Sequence, residues 1–329
     1  MTLKTGDDWT DEELDGLFMR VSNVGRWGAD DELGTLNFIT PHKRRSAAAL
    51  VQDGKVVSMA HPLRIRATAA RPQQVDHRML YWNVPDNPLR GPPSAGDYLG
   101  LEIHQHGLTH LDSVSHIGSR HGRAYNDRAF DDVATEEGLR HGSVFAQRDG
   151  IVSRGVLLDV AAALGVDWLE SDHLITAGQL EVAERHGRVH VGRGDVLVVR
   201  VGAEARADAC GPSPLGSGPG PDAVAWLHER EVAVYAGDAP EHLAEAGARI
   251  LGLLPADSHH DAASSTTGFP LLLHQIGIPA MGLVLLDYCR VEELAGVCAE
   301  TGRYEFLFTA APLALPGGTG SPVNPLAIF

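Results

Sequence analysis

Histidines are concentrated in one short stretch of this sequence, and their spacing is typical of metal ligands. Five of the chain's 17 histidines fall within residues 104–121. The densest part reads HGLTHLDSVSH and contains His106, His110, Asp112 and His116. Imidazoles and a carboxylate are ligands for zinc, manganese and iron, and the two oxygens of Asp112 would let it bridge two ions. An extended segment would place His110 and Asp112 on one face. We therefore predict a divalent metal site here.

A single histidine is usually a surface or core residue without a ligand, and that alternative applies to each of these taken alone. Four ligand-type side chains in so few positions favour a metal site instead. His104, two residues before His106, would share its face in a strand and orient a ligand, although an ordinary strand histidine is the simpler interpretation. A second ligand-rich patch, DSHHD (257–261), is predicted to be a solvated loop.

The motif also resembles a known signature. HGLTHLDSVSH is similar to the H-x-x-T-H-x-D-x-x-x-H pattern of the metal-dependent cyclase family, which includes bacterial kynurenine formamidase and isatin hydrolase. Other segments that resemble the longer branch of this family are RWGADDELGTLNFITP, SRGVLLDV, DVLVVRVG and the C-terminal RYEFLFTAAPLALPGGTGSPVNPLAI. The resemblance covers most of residues 24–329. It implies a swivelling β/β/α fold, a divalent metal cofactor and a homodimer or homotetramer.

The resemblance implies roles for individual residues of the motif. His106, His110 and Asp112 match the family's metal ligands, and Asp112 matches the carboxylate that can bridge two ions. His116 matches the catalytic histidine that donates and accepts the proton.

Two further metal ligands are implied downstream, a histidine and a glutamate thirteen residues apart. The segment LHQIGIPAMGLVLLDYCRVEELA aligns without gaps and places His274 and Asp287 at these positions. Aspartate in place of glutamate is a departure, because one fewer methylene withdraws the carboxylate by about 1.5 Å. Either the strand lies further inward, or a second ion is weakly bound or absent. The alternative is that Asp287 is a strand-end aspartate that faces solvent.

The elements that must position these residues are alternating strands and helices. Four short runs rich in leucine or β-branched residues are typical of strands buried on both faces. They are GVLLDV (155–160), DVLVVRV (195–201), EVAVYAG (231–237) and GLVLLDY (282–288). Helices are predicted near 178–186, 222–230 and 290–299, and a late strand over 304–313. The alternation predicts a single α/β domain with a mixed sheet and flanking helices.

The N-terminal segment is predicted to be helical. Thr10 and Glu13 form a capping-box pattern at the start of an apolar stripe. Residues 1–25 are therefore interpreted as a helical arm ahead of a cyclase-like domain over 26–329, and the arm would suit contact with a neighbouring subunit.

The stretch between this arm and the histidines is less regular. Residues 26–37 are predicted to form turns, and Pro41 to begin a helix that runs to about residue 54. A strand with irregular ends is predicted within 55–66, and the five prolines of 82–97 predict a loop.

Composition limits the partners of this chain. Its 27 basic and 43 acidic residues give a net charge of −16, which argues against nucleic acid or an anionic membrane as a partner and favours divalent cations. No apolar run approaches the roughly 18–20 residues that span a bilayer, and the N-terminus does not resemble a signal peptide. Three cysteines without a CxxC pair argue against a disulfide framework. A cytoplasmic protein with a small-molecule substrate is expected.

Two features suggest walls for a substrate site. Trp27, Tyr81, Trp82 and Tyr125 lie in predicted loops that flank the motif and would suit an aromatic pocket, although packing explains each of them singly. The amides of GGTGSP (317–322) would bind a carboxylate or carbonyl oxygen, and a plain glycine-rich tail is the alternative.

The motif and the resemblance together predict a hydrolase that cleaves an amide, formamide or lactam C–N bond in a small aromatic or cyclic substrate. One or two divalent ions, zinc or manganese foremost, would lower the pKa of a water molecule toward about 7. His116, expected near its unperturbed pKa of about 6.5, would take the proton and return it to the leaving nitrogen.

Two alternatives stay open at this point. One is a metal-dependent cyclase, dehydratase or lyase that incorporates no water. The other is a non-catalytic binding protein with a degraded site, which the departure at Asp287 favours.

Alanine at His110 or Asp112 is expected to abolish metal binding and activity together, because each substitution removes a predicted ligand. Elemental analysis of the purified variants and turnover on a panel of amides, lactams and esters measure the two effects. Full activity after the metal has been stripped would contradict the hypothesis.

Overall fold

Short apolar runs rich in valine and leucine form the centre of a mixed β-sheet in this computed structural model. The residues that the structure describes are 9–65, 75–81, 95–239, 241–243, 248–249, 254 and 269–329. Within them, nine strands form the main sheet. In chain order they are β1 (Val56–Ser58), β4 (His110–Asp112), β9 (Ile151–Asp159), β11 (Val196–Arg200), β13 (Val234–Gly237), β14 (Val284–Asp287), β15 (Glu305–Ala310), β16 (Gly320–Pro322) and β17 (Leu326–Ile328).

The order of strands across this sheet is β1-β17-β15-β9-β11-β13-β14-β4-β16. The four central strands, β9, β11, β13 and β14, are parallel. The strands on either side of them are antiparallel to their neighbours. Shorter strands pair outside the main sheet: β2 (Asp76–Tyr81) with β3 (Ala95–Gly100), β5 (Arg123–Ala124) with β6 (Arg128–Ala129), β7 (Ala134–Thr135) with β8 (Gly138–Leu139), and β10 (Leu174–Ile175) with β12 (Gly218–Pro219).

Helices flank the sheet. The α-helices are α1 (Asp11–Arg20), α2 (Pro41–Ala48), α3 (Phe130–Val133), α4 (Val160–Ala163), α5 (Ala177–Gly187), α6 (Ala203–Cys210), α7 (Pro221–Glu229) and α8 (Glu292–Thr301). Short 3₁₀ segments occupy Gly34–Phe38, Tyr125–Asp127 and Val144–Gln147, and a π-helix spans Leu273–Met281. None of the helices in the described part of the chain combines the length and the apolar character needed to cross a bilayer.

Both faces of the central sheet are covered, which is why its strands are apolar throughout rather than alternating. Along β11, Leu197 and Val199 pack into a core cluster with α1, α5 and α7. Val196 and Val198 point to the opposite face and pack with α8 and the β15 side of the sheet. The sequence prediction of a mixed α/β domain with a covered sheet and flanking helices is confirmed.

The sheet positions the histidine motif through the pairing of β4 with β14. Parallel strands all end at one edge of a sheet, and that edge is where α/β proteins commonly place their sites. Asp287 is the last residue of β14 and pairs with His110, the first residue of β4. His274 lies in the π-helix that leads into β14. Helices of this kind are rare and occur frequently at functional sites.

The predicted helix boundaries are partly confirmed and partly wrong. The capping box of Thr10 and Glu13 begins α1 as expected. The helix that begins at Pro41 ends at Ala48 rather than near residue 54. The reason is tertiary, because the amides of Asp53 and Gly54 donate to the carbonyl of the last residue, Phe329.

The strand predicted within 55–66 is shorter than expected. β1 covers only Val56–Ser58, since its partner β17 is itself three residues long. The proline-rich loop predicted over 82–97 is overlapped at its end by β3 (Ala95–Gly100). The rest of that loop, with Trp82, and the patch at 257–261 lie outside the described residues.

The N-terminal helix packs against the chain's own core. Leu14 and Leu17 of α1 are buried in the cluster that covers the sheet. Arg120 binds the carboxylates of Asp11 and Asp15, which joins α1 to the segment that follows the histidine motif. The boundary predicted near residue 25, and a contact of the arm with a neighbouring subunit, stay predictions.

A buried ion cluster fixes the edge of the sheet opposite the histidines. Asp195, which is fully buried, pairs with Lys43 and Arg154 and accepts the amide of Gly192. Its loss leaves the partly exposed cations of Lys43 and Arg154 without the carboxylate that lies between them. Arg154 keeps a second partner in Glu305, 3.0 Å away.

Asp195→Asn is expected to lower the free energy of unfolding by about 3 kcal/mol, the lower end of the cost of breaking a buried pair. Urea denaturation followed by circular dichroism measures it. Asp131→Asn, an exposed aspartate on α3, is the matched control and should change stability by less than about 0.5 kcal/mol. Equal stability of the two variants would contradict the assigned role of Asp195.

Candidate metal centre

Two groups of ligand-type side chains meet where β4 and β14 pair. The first comprises His104, His110 and Asp112, and the second comprises Asp112, His274 and Asp287. In each group the potential ligand atoms lie within 4.8 Å of one another. Asp112 belongs to both groups, which makes it the centre of the site.

The first group surrounds one oxygen of Asp112. His104 Nδ1 lies 3.0 Å from Asp112 Oδ1, and His110 Nε2 lies 3.4 Å from the same oxygen. The other nitrogen of each ring is held by the protein. His110 Nδ1 lies 2.8 Å from the carbonyl oxygen of Leu108, and His104 Nε2 lies 2.8 Å from the hydroxyl of Thr319.

The second group surrounds the other oxygen of Asp112. His274 Nε2 lies 3.3 Å from Asp112 Oδ2 and 3.3 Å from Asp287 Oδ2. Its Nδ1 lies 2.7 Å from Oε1 of Glu241. All three imidazoles therefore show one pattern, with one nitrogen facing a protein group and the other directed at Asp112. Metal-binding histidines are oriented in this way by their neighbours.

The donor set fits a divalent cation. Asp112 is fully buried, and neither of its oxygens has a hydrogen-bond partner among the described residues. Asp287 is 4% exposed and likewise has a buried oxygen, Oδ1, without one. Two carboxylates taken out of water without donors are costly, and a cation between them would remove that cost. Each oxygen of Asp112 faces its own group, so the carboxylate would be able to contact one ion or two.

The buried carboxylates also raise the pKa values of two histidines in the cluster, His110 and His274. Burial opposes the protonation of His110, but the carboxylates of Asp112 and Asp287 outweigh it and raise its pKa to about 9. His274 is also desolvated, yet Glu241 and Asp287 raise its pKa well above the ordinary value. Protons on these rings supply the charge that a bound cation would otherwise bring.

His116 differs from the other histidines of the cluster. Its ring stacks on His104 with centroids 3.6 Å apart and planes 10° apart, and it stands edge-on to His274 at 6.2 Å. Burial lowers the pKa of His116 to about 3, against the opposing effect of Asp112 and with the help of the neighbouring imidazoles. The sequence expectation of a pKa near 6.5 is therefore wrong, because it took no account of desolvation.

Comparison with known proteins assigns the chain to a family. A family model described as "Putative cyclase" matches residues 57–242, more than half of the chain. This chain belongs to that cyclase family. No curated protein matches its sequence.

Solved structures share the fold of this cyclase-family chain. A crystal structure described as that of a novel cyclase is 28% identical with a TM-score of 0.78, over 94% of this chain and 99% of its own. An isatin hydrolase bound to the product analogue thioisatinate is 18% identical with a TM-score of 0.54, over 86% of this chain and 94% of its own. Isatin hydrolase A from Ralstonia solanacearum is 18% identical with a TM-score of 0.53, over 88% and 97%.

The structure brings together most of the predicted site residues of this cyclase. His110, Asp112, His274 and Asp287 all fall in the two groups, and their roles as metal ligands stay predictions. The alternative for Asp287, a strand-end side chain facing solvent, is wrong because the residue is buried.

His106 is the predicted ligand that joins neither group among the described residues. Its ring packs beside Tyr288 with centroids 4.9 Å apart, and it lines the cavity next to the cluster. The geometry places His104 in the first group instead. The spacing of His104 relative to His106 had indicated a residue that orients a ligand. The family resemblance had implied that His106 is the ligand.

Glu241 is a residue beside the cluster that the sequence did not indicate. It is 2% exposed and lies against His274. Its only sequence signal is its position shortly after β13, at the edge where the parallel strands end. That signal is weak, because a polar loop residue at this edge is common.

The tail segment GGTGSP borders the cluster. Thr319 contacts His104, and the amide of Ser113 donates to the Thr319 carbonyl. At Gly320, a Cβ atom would lie 2.7 Å from Cε1 of His104 and 2.7 Å from the Leu111 carbonyl oxygen. A side chain at Gly320 would therefore displace the imidazole. This segment forms a wall of the site through packing against His104.

A cavity of about 290 Å³ opens beside the cluster. Its lining includes His106, Tyr288 and Glu241, which lie next to the two groups, and Arg64 and Arg290. Apolar side chains form part of the wall: Ala203, Ala207, Pro212, Pro214, Leu215, Ala239, Leu243 and Val291. Acidic side chains form another part: Glu204, Asp208, Asp238 and Glu292. The volume is at the lower end of that of small-molecule sites.

The described aromatic residues proposed from sequence as pocket walls lie elsewhere. Tyr125 is fully buried and donates its hydroxyl hydrogen to Asp31. Trp27 packs edge-on against Phe38. Both contribute to packing, and Tyr288 is the aromatic ring that lines the cavity.

Gly320→Ala is expected to lower the amount of metal bound per chain, because the added methyl group moves His104 away from Asp112. Elemental analysis after dialysis against a limiting concentration of zinc measures it. Gly296→Ala on α8 is the matched control, since a Cβ there meets nothing within 4 Å. Equal metal content in the two variants would contradict a role for His104 in the site.

Proposed function

We propose that this chain is a metal-dependent hydrolase that cleaves the C–N bond of a small amide, formamide or lactam. The observation that carries the proposal is Asp112. Asp112 is fully buried, and its oxygens make no hydrogen bond to any described residue, although imidazole nitrogens lie 3.0–3.4 Å from them. A second buried carboxylate, Asp287, lies 3.3 Å from His274 Nε2, which Asp112 also approaches. A divalent cation, zinc or manganese, satisfies such a set.

The residues that would hold the cation are those of the two groups: His104, His110, Asp112, His274 and Asp287. When bound there, the cation would act as a Lewis acid. It would polarise a carbonyl group and lower the pKa of a water molecule. The cavity beside the cluster offers room for a small substrate with its carbonyl group directed at these residues.

His116 is the proton carrier in this proposal. Burial lowers its pKa to about 3, so it is neutral at physiological pH, which is the form required of a proton acceptor. It would take a proton from water and return it to the leaving nitrogen. Stacking on His104 holds the ring in place for both steps.

The cavity supports a small substrate of mixed polarity. Tyr288 and the apolar side chains would contact a ring or a hydrocarbon chain, and the arginines Arg64 and Arg290 would face its polar end. An isatin hydrolase shares the fold, and hydrolysis of a cyclic amide by the present chain is part of the proposal. A dimer or tetramer, expected from the family resemblance, stays a prediction that analytical ultracentrifugation tests.

Hydrolysis is tested by turnover in ¹⁸O-labelled water with a panel of formamides, lactams and esters. The proposal expects one labelled oxygen in the acid product, and it expects loss of turnover after the metal is stripped and recovery when zinc or manganese is restored. A product that contains no ¹⁸O would support the cyclase, dehydratase or lyase alternative, in which the same cation acts but no water is incorporated.

His116→Asn serves as the matched variant in the same assay. It keeps the residues of both groups and removes only the proton carrier, so the bound metal should remain and the turnover number should fall by about 10²–10⁴-fold. Wild-type protein that binds no metal after gentle purification and reconstitution would instead support a non-catalytic binding protein.

A further inference from the structure

The three imidazoles that face Asp112 are held by chemically different groups. His110 is held by a backbone carbonyl and His104 by a threonine hydroxyl, both of which are neutral. His274 Nδ1 instead lies 2.7 Å from the carboxylate of Glu241, an ion-pair contact without the geometry of a hydrogen bond. His274 is also the imidazole that both Asp112 and Asp287 approach, so the strongest orienting group is placed on the ring that links the two carboxylates.

Glu241 is fixed at both of its oxygens. Oε1 lies 2.7 Å from His274 Nδ1, and Oε2 accepts the amide of Leu273 at 2.8 Å. Leu273 directly precedes His274 in the π-helix. The carboxylate is therefore tied to the same turn of backbone that carries the imidazole, and the two cannot shift independently.

The backbone of Glu241 is held as firmly as its side chain. Leu243 exchanges two hydrogen bonds with Gly216, at 2.9 and 3.2 Å. At Gly218 a Cβ atom would lie within 2.3–2.6 Å of the backbone of Glu241 and His242, so the two segments pack in direct contact. With 2% of its surface exposed, Glu241 is shielded from most of the water that would compete with its contact to His274.

With a cation between Asp112 and Asp287, Nε2 of His274 would face that cation. The carboxylate beside Nδ1 then favours the tautomer with hydrogen on Nδ1. Nε2 is the atom that lies 3.3 Å from an oxygen of each of Asp112 and Asp287. The negative charge behind the ring also makes Nε2 a better electron donor to a cation.

We propose that Glu241 is a positioning residue for the metal centre. It holds His274 as the Nδ1-protonated tautomer and so completes the second group, Asp112–His274–Asp287, as a cation site. The inference rests on the proposed function, because it requires that the two groups bind a divalent cation. It assigns to Glu241 a role distinct from that of the ligands, since its oxygens face Nδ1 and the backbone rather than the other carboxylates.

The test compares Glu241→Gln with wild-type protein and with Glu184→Gln. Glutamine keeps the size of the side chain and removes its charge. Glu184 on α5 is the matched control, because it is also buried and contacts a histidine ring nitrogen, His190 Nδ1 at 3.4 Å, outside the two groups. Zinc affinity is measured by competition with a chromophoric chelator, and thermal unfolding confirms that each variant is folded.

Glu241→Gln is expected to bind zinc about 10–100-fold more weakly than wild type, the usual effect of removing such an orienting group. Glu184→Gln should bind it with wild-type affinity. Equal zinc affinity in wild type and Glu241→Gln overturns the inference while leaving the proposed function intact. Wild-type protein that binds no zinc overturns the proposed function instead.

A second measurement needs no variant and keeps the inference testable if Glu241→Gln fails to fold. Long-range ¹H–¹⁵N correlation spectra of the zinc-loaded wild-type protein report which ring nitrogen of His274 carries the proton. The proposal expects hydrogen on Nδ1 and zinc-shifted Nε2. Hydrogen on Nε2 would overturn it.

Discussion

Two carboxylates buried side by side are the constraint on which the site depends. Asp112 and Asp287 both approach His274 Nε2, and neither is compensated by a lysine or arginine among the described residues. Charges of like sign in a buried position are tolerated only with positive charge between them. The imidazoles that surround Asp112, and the groups that hold each imidazole from behind, serve this requirement. A divalent cation or protons on the rings can both meet it, so the two compete for the same place.

The pairing of β4 with β14 brings these carboxylates together. Asp287 opposes His110 in the register, and Asp112 lies two residues further along the same strand, on the same face as His110. An aspartate stands at position 287, where the family resemblance implies a glutamate, and it still reaches the cluster. Asp287 Oδ2 lies as close to His274 Nε2 as Asp112 Oδ2 does, at 3.3 Å.

The fold was largely predictable because its central strands are covered on both faces. Runs such as DVLVVRV are almost entirely apolar, so their own sequence is enough to distinguish them from loops. Errors arose where distant residues decide the outcome. The helix that begins at Pro41 stops early because amides just beyond it donate to Phe329, nearly three hundred residues away along the chain. Similarly, the length of β1 is set by β17.

The sequence by itself determined the donor types, the motif that carries two of them, His110 and Asp112, and the alternation that makes the fold α/β. These depend on local chemistry and periodicity, which a single chain displays directly. Only the tertiary structure decided that His104 faces Asp112, that Asp287 is buried, that burial lowers the pKa of His116, and that Glu241 lies beside His274. Each of these depends on which side chains meet across strands and loops far apart in the chain, and on how much water that meeting removes.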